Sequence, residues 1–187
     1  MTKTIALLAI TLLTNVWASA QKLHYGFKAG PQFSSYTHTT DVKAALFYHV
    51  GAFVSWPVAE QVSAQAEVLF SAQGINRVSD SDFKMRTHYL NVPLLVRYDV
   101  TDRISAHAGL QVGVLLRAKL IVEGYDTYDR EKSYKPFDIA FSFGGEYRIN
   151  KNIGAGLRFN LGMTAFHQDS DKPSQRTIQL FAAYHLR

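Results

Sequence analysis

Seven histidines, His24, His38, His49, His88, His107, His167 and His185, are the first residues here that could do chemistry. A metal site needs ligands brought together at close spacing, and no two of these stand in a His-x-x-x-His arrangement on one face. No metal and no cofactor are expected. A lipid-modifying hydrolase would need a serine, a histidine and a carboxylate at one rim. Ser71, His49 and Glu67 supply those types on neighbouring segments, but no Gly-x-Ser-x-Gly surrounds any serine. The sequence names no catalytic residue, and a small lipid-modifying enzyme is the alternative rather than the expectation. Asp80, Asp82, Asp126, Asp129, Asp169 and Asp171 form no Asp-x-Asp-x-Asp-Gly calcium loop and read as solvated loop acids.

A second set is more regular. Lys28, Glu67, Arg97, Arg117, Lys119, Asp138, Glu146, Arg148 and Arg158 all occupy the polar phase of alternating segments. Charges of both signs on one phase suit either a selective pore or a packed interior. An unpaired ion away from water costs several kcal/mol, so a packed interior must pair them. Eight strands enclose an interior that side chains just fill. The expectation is a salt-bridged lumen without a continuous water channel.

The elements that carry these residues are strands. From Ile104 to Val122 nearly every even residue is apolar, while the odd ones are mostly small, polar or charged, a strict period of two. The same alternation runs through Leu23 to Ser35, Leu46 to Val58, Val62 to Gln73, Leu90 to Tyr98, Phe137 to Arg148, Ile153 to Met163 and Ile178 to Leu186. Pro57 to Gln61, Asp99 to Arg103 and Arg148 to Asn152 are tight connections. Ser35 to Ala45, Gly74 to His88, Glu123 to Pro136 and Phe166 to Gln175 are long and polar. Short turns at one end and long loops at the other are the asymmetry of an outer-membrane barrel, with the turns periplasmic. The fold expected is all-β: an eight-stranded antiparallel up-and-down transmembrane β-barrel.

Two features give the apolar phase its direction. Gly26, Gly30, Gly51, Gly109, Gly113, Gly144, Gly154, Gly156 and Gly162 fall on the polar phase, where small residues suit a narrow, crowded interior. Tyr25, Trp56, Tyr98, Tyr147 and Tyr184 fall on the apolar phase beside tight turns or termini, and would ring the periplasmic lipid boundary. Tyr48, Phe70 and Phe137 would make a looser ring at the other end. The rival is a soluble, secreted lipocalin-like barrel that binds an apolar ligand. Pro93, inside a strand of a barrel with no edge, is expected to sit at a local bulge.

The 187 residues, 47% hydrophobic and 13% aromatic, suffice for one domain. Lys3, the apolar run from Ile5 to Leu13 and Ala18-Ser19-Ala20 have the order of a secretory signal, so residues 1–20 are expected to be cleaved and 21–187 to form the barrel. No later run of about 18 apolar residues exists, which excludes a spanning helix. With no cysteine, disulfides are excluded. The net charge of +5 is dispersed rather than gathered in a patch, so no nucleic-acid partner is expected.

Particular blocks also match a known family. Gly26-Phe27-Lys28-Ala29-Gly30, Glu67-Val68-Leu69-Phe70-Ser71-Ala72-Gln73-Gly74, Tyr89-Leu90-Asn91-Val92-Pro93-Leu94-Leu95-Val96-Arg97-Tyr98, Ala108-Gly109-Leu110-Gln111-Val112-Gly113 and Phe137-Asp138 resemble the PorT-like outer-membrane β-barrel family. The resemblance implies a Gram-negative outer-membrane location and insertion by the barrel-assembly machinery. The family supplies no catalytic residues, and the barrel is expected to be a monomer with outer-membrane lipid as its surrounding partner. The namesake is associated with a secretion system for surface proteases, so a surface or secretion partner of unknown identity is open.

Overall fold

A lone strand leaves a row of N–H and C=O groups unpaired, and within a bilayer only a closed sheet removes every edge. A computed structural model shows that closure; it describes residues 23–36, 42–43, 45–77, 83–122, 128–129, 137–163 and 175–186. Eight strands form the wall: β1 (His24–Tyr36), β2 (Ala45–Pro57), β3 (Val62–Arg77), β4 (Phe83–Asp99), β5 (Ile104–Val122), β6 (Phe137–Arg148), β7 (Ile153–Gly162) and β8 (Gln175–Leu186). Each pairs antiparallel with its chain neighbour, and β1 pairs with β8 to close the meander. Two-residue ladders at Val42–Lys43 and Tyr128–Asp129 add to β3 and β5. Among the described residues there is no helix. The segment expected to be a signal, residues 1–20, lies outside the described residues, as do most of the long loops.

Local chemistry fixes the tight end. The Thr101 hydroxyl accepts the Ile104 N–H at 3.0 Å, and Asn150 Oδ1 accepts the Ile153 N–H at 2.8 Å. Short polar side chains bonding backbone a few residues on are what hold such turns. At the other end the wall is taller than the alternation implies. The segment from Gly74 to His88, expected to be a loop, is largely ladder: β3 continues to Arg77, β4 starts at Phe83, and Gly74 lies opposite Arg86. Lys84, Arg86 and His88 interrupt the apolar pattern there, which gives the segment the look of a loop.

Exposure alternates with the sequence and runs opposite to a soluble core. On β4, Leu94 is 55% exposed and its neighbour Leu95 4%. Outward positions through the middle of the wall are apolar, including Val96, Leu110, Val112, Phe141, Leu157 and Leu180. The buried set is dominated by Lys28, Gln32, His49, Gln65, Glu67, Asn91, Arg97, His107, Glu146, Arg158 and Gln179. The soluble lipocalin-like arrangement, with its apolar side inward, is therefore not what this chain builds. On β6, ten residue steps separate Phe137 from Tyr147; at about 3.3 Å per residue and a tilt of about 40°, they span roughly 25 Å.

Two departures concern the ladder. Pro93 carries no bulge: it stays in register opposite Gln111 on β5, and on β3 the register is the same before and after it, Ala66 opposite Leu94 and Leu69 opposite Asn91. Proline removes one donor but adds no residue, so the ladder skips that rung and resumes. The bulge lies higher. Tyr89 faces Leu115 while His88 faces Arg117, so β5 carries one extra residue. An extra residue in a period-two strand reverses the face of everything beyond it. Arg117, expected to be a lumen charge, is exposed, and Ala118 is buried in its place at 0% exposure.

Candidate functional site

The tight-turn half of the interior holds a continuous network of charged and polar side chains from seven strands. At its rim Arg97 Nε lies 3.1 Å from Asp99 Oδ1, and Arg97 Nη1 reaches Glu146 Oε1 at 3.3 Å. His185 Nε2 approaches the same oxygen at 2.8 Å, and Lys28 Nζ sits 3.6 Å from Glu146 Oε2. Lys28 then donates to Glu67 Oε1 at 3.0 Å. Arg158 closes the inner end with a fork: Nη1 to Glu67 Oε2 and Nη2 to Glu67 Oε1, both 2.7 Å. Its Nε donates to His107 Nε2 at 3.1 Å, and Gln65 donates to the Glu67 carboxylate. Three cations meet two carboxylates, Glu67 and Glu146, in the interior, with Asp99 at the rim.

Two phenylalanines that the alternation passes over complete this layer. Phe53 and Phe181 point inward and are buried with Ala183. The Lys28 ammonium stands 5.0 Å from the centroid of the Phe53 ring and 4.5 Å from that of Phe181, and Arg158 lies 5.7 Å from the latter. The negative face of an aromatic ring attracts a desolvated cation, so the rings support the same charges that the carboxylates hold. Their signal is in the glycines. Gly26 pairs with Phe53 and Gly156 with Phe181, and a Cβ at Gly26 would come within 2.7 Å of the Phe53 ring.

One expectation follows for those glycines. Gly156→Ala drives its methyl into the Phe181 ring and the Gly145 carbonyl, and should lower stability by about 1–3 kcal/mol. Gly145→Ala, on the outward phase with only the Ser105 carbonyl at 3.3 Å, should cost less. Urea-dependent refolding into lipid vesicles measures both.

Above the charges the lumen changes to amides and hydroxyls. Gln179 donates to Gln32 Oε1 at 2.9 Å, Gln32 to the Ala72 carbonyl at 2.6 Å, and Ser142 to Asn160 Oδ1 at 2.7 Å. Asp138 lies in this half, part-buried opposite Gly113. Arg148 is part-buried at the tight-turn mouth, and the side chain of Lys119 lies outside the described residues. Of the lumen charges named from the sequence, Lys28, Glu67, Arg97, Glu146 and Arg158 come together. Arg117 does not, because of the bulge.

Ser71 and His49 stand opposite each other across β2 and β3, both buried. Ser71 Oγ makes no hydrogen bond to His49, and Glu67 is held by Arg158, Lys28 and Gln65. The three form no nucleophile, base and orienting-acid relay. Among the described residues no group of three metal-ligating side chains is assembled.

On the outside, Tyr25, Tyr98, Tyr147 and Tyr184 are exposed and Trp56 is half-buried, all within a few residues of the turns or strand ends. Tyr98 donates its hydroxyl to Gln61 Oε1 at 2.8 Å, keeping the ring on the apolar face and its polar end at the turn. At the far end Tyr48 and Phe70 lie 6.4 Å apart and Phe70 stacks on His88 at 5.5 Å.

A closed eight-stranded sheet, apolar outside and ion-paired inside, defines a transmembrane β-barrel of the outer-membrane type. The sequence profile of the outer membrane protein beta-barrel domain family matches residues 19–168, and the chain belongs to that family. Solved structures share the fold. Neisserial surface protein A is similar with a TM-score of 0.59 at 9% identity, over 87% of this chain and 96% of that one. Ail, the attachment invasion locus protein of Yersinia pestis, is similar with a TM-score of 0.54 at 12% identity, over 87% of this chain and 98% of that one. Among curated proteins no sequence match was found. The protein is an outer-membrane barrel.

Proposed function

We propose that this is a plugged, non-enzymatic barrel of the PorT-like type, acting as a structural or interaction element through the loops opposite its tight turns. The observation that carries this reading is the network from Asp99 to Arg158, which crosses the lumen and engages both of its buried carboxylates. A carboxylate committed to two cations is poorly placed to act as a base, and a lumen filled by paired side chains is poorly placed to conduct. In this reading the outward apolar positions meet outer-membrane lipid. Tyr25, Trp56, Tyr98, Tyr147 and Tyr184 mark the periplasmic boundary, and the barrel-assembly machinery inserts the chain as a monomer. The loops then face the outside, where any surface or secretion-system partner would be met.

Planar-bilayer recording tests the plug. Purified protein should give no stable conductance step above the bare membrane at potentials of about 100 mV of either sign, a voltage chosen because each charge moved through 100 mV gains about 2.3 kcal/mol. Steady open levels that persist in the Glu67→Gln variant and the parent alike would contradict a plug made by these ion pairs.

A further inference from the structure

The tight-turn mouth holds a cleft of about 480 Å³ that shares only His185 with the lumen network. It lies between the turn after β4, the turn after β6 and the paired ends of β1 and β8. Its charged walls are Arg103, Arg148 and Lys151, with Asp102 as the one carboxylate, and His24 and His185 line it as well. Among the described residues, none of these three cations has an ion pair. The frame around them is fixed. The Arg148 N–H donates to the Arg103 carbonyl at 2.7 Å, tying one turn to the other. Asn152 donates through Nδ2 to the His185 carbonyl at 3.0 Å, and its own carbonyl accepts the His185 N–H at 2.7 Å, tying the second turn to β8. His185 itself is held from behind by Glu146.

Three uncompensated cations facing one acid on a fixed frame make a site for an anion carrying more than one charge. Two guanidinium forks suit the several oxygens of a phosphate ester better than the two of a carboxylate. Depth points the same way: Tyr98, Tyr147 and Tyr184 lie within a few residues of the cleft walls in sequence, and such aromatic rings settle at the level of lipid headgroups. Basic pockets at that level hold phospholipid headgroups. Ile149 and Leu186 give the cleft an apolar flank. We propose that the Arg103, Arg148 and Lys151 cleft binds a phosphate ester group at the tight-turn face of the barrel, whether carried by a membrane phospholipid or free in solution.

The test uses the barrel refolded in dodecyl maltoside, which has no phosphate, and follows backbone amide NMR signals. The probes are dihexanoyl phosphatidic acid and inorganic phosphate, with acetate as the carboxylate control. Saturable shifts confined to residues 101–104 and 148–152 are expected, weakened at least tenfold in the Arg148→Gln, Lys151→Gln double variant. Response to the lipid alone assigns a headgroup; response to both assigns a phosphate site open to water. Should the double variant fail to fold, by its heat-modifiable gel mobility, Arg103→Gln serves with the same expectation. No saturable shift with either probe, equal response to acetate, or a response unchanged in the variants would overturn the proposal.

Discussion

Glu67→Gln should destabilise the barrel by about 3–5 kcal/mol, the usual cost of leaving buried charges without their partner. Glu67 accepts both arms of the Arg158 fork at 2.7 Å and the Lys28 ammonium at 3.0 Å, and none of the three side chains is more than 2% exposed. Glutamine keeps the shape but removes the charge, so Arg158 is left facing His107 and the Phe181 ring, and Lys28 keeps Glu146 alone. The contrast is Asp99→Asn at the rim. Its carboxylate side chain is 40% exposed, and a solvated pair is worth about 1 kcal/mol at most. Urea-dependent refolding midpoints, read by tryptophan fluorescence in vesicles, separate the two. A Glu67→Leu, Arg158→Leu double variant should lose less than the sum of its singles, since it removes both members of the pair.

Leu110→Arg should cost about 2–4 kcal/mol in a bilayer, the range for a cation on the lipid face near the midplane. Leu110 is 50% exposed, and its rung partners Leu94 and Phe141 are exposed as well. On a water-facing sheet an arginine at such a position would change stability by little more than about 0.5 kcal/mol. The substitution therefore tells apart two surroundings that give the same exposure. The expected result is reduced insertion together with a lower unfolding midpoint in vesicles. Parent-like insertion and stability in the Leu110→Arg variant would mean that this face does not meet hydrocarbon.

How much of this was legible in the residues follows from what period-two alternation can and cannot carry. It placed all eight strands, with β5 bounded at Ile104 and Val122 as found, because one face of each is largely apolar along its length. It separated the two faces, because glycines and charges share one phase. It missed the bulge near Leu116, because Leu115 and Leu116 are both apolar and hide the phase change; Arg117 was misplaced as a consequence. It missed Phe53 and Phe181, which break the polar phase and are intelligible only beside Gly26 and Gly156 across the ladder. Which charge meets which was beyond it as well. Arg158 and Glu67 are 91 residues apart, and their meeting is set by barrel diameter and strand stagger rather than by local spacing.

The sequence has no cysteine, so single cysteines introduced from Ile104 to Ala118 can each carry a spin label without competition. Collision with oxygen, which concentrates in hydrocarbon, and with an aqueous nickel complex then reads the surroundings of each residue of β5 in a bilayer. Residues 104, 106, 108, 110 and 112 should favour oxygen and exclude nickel, 105, 107, 109 and 111 should be shielded from both, and the phase should reverse past Leu116, turning Arg117 out and Ala118 in. Nickel reaching residues 106–112 on the apolar phase as freely as it reaches a surface turn would contradict a barrel whose apolar face lies in the membrane.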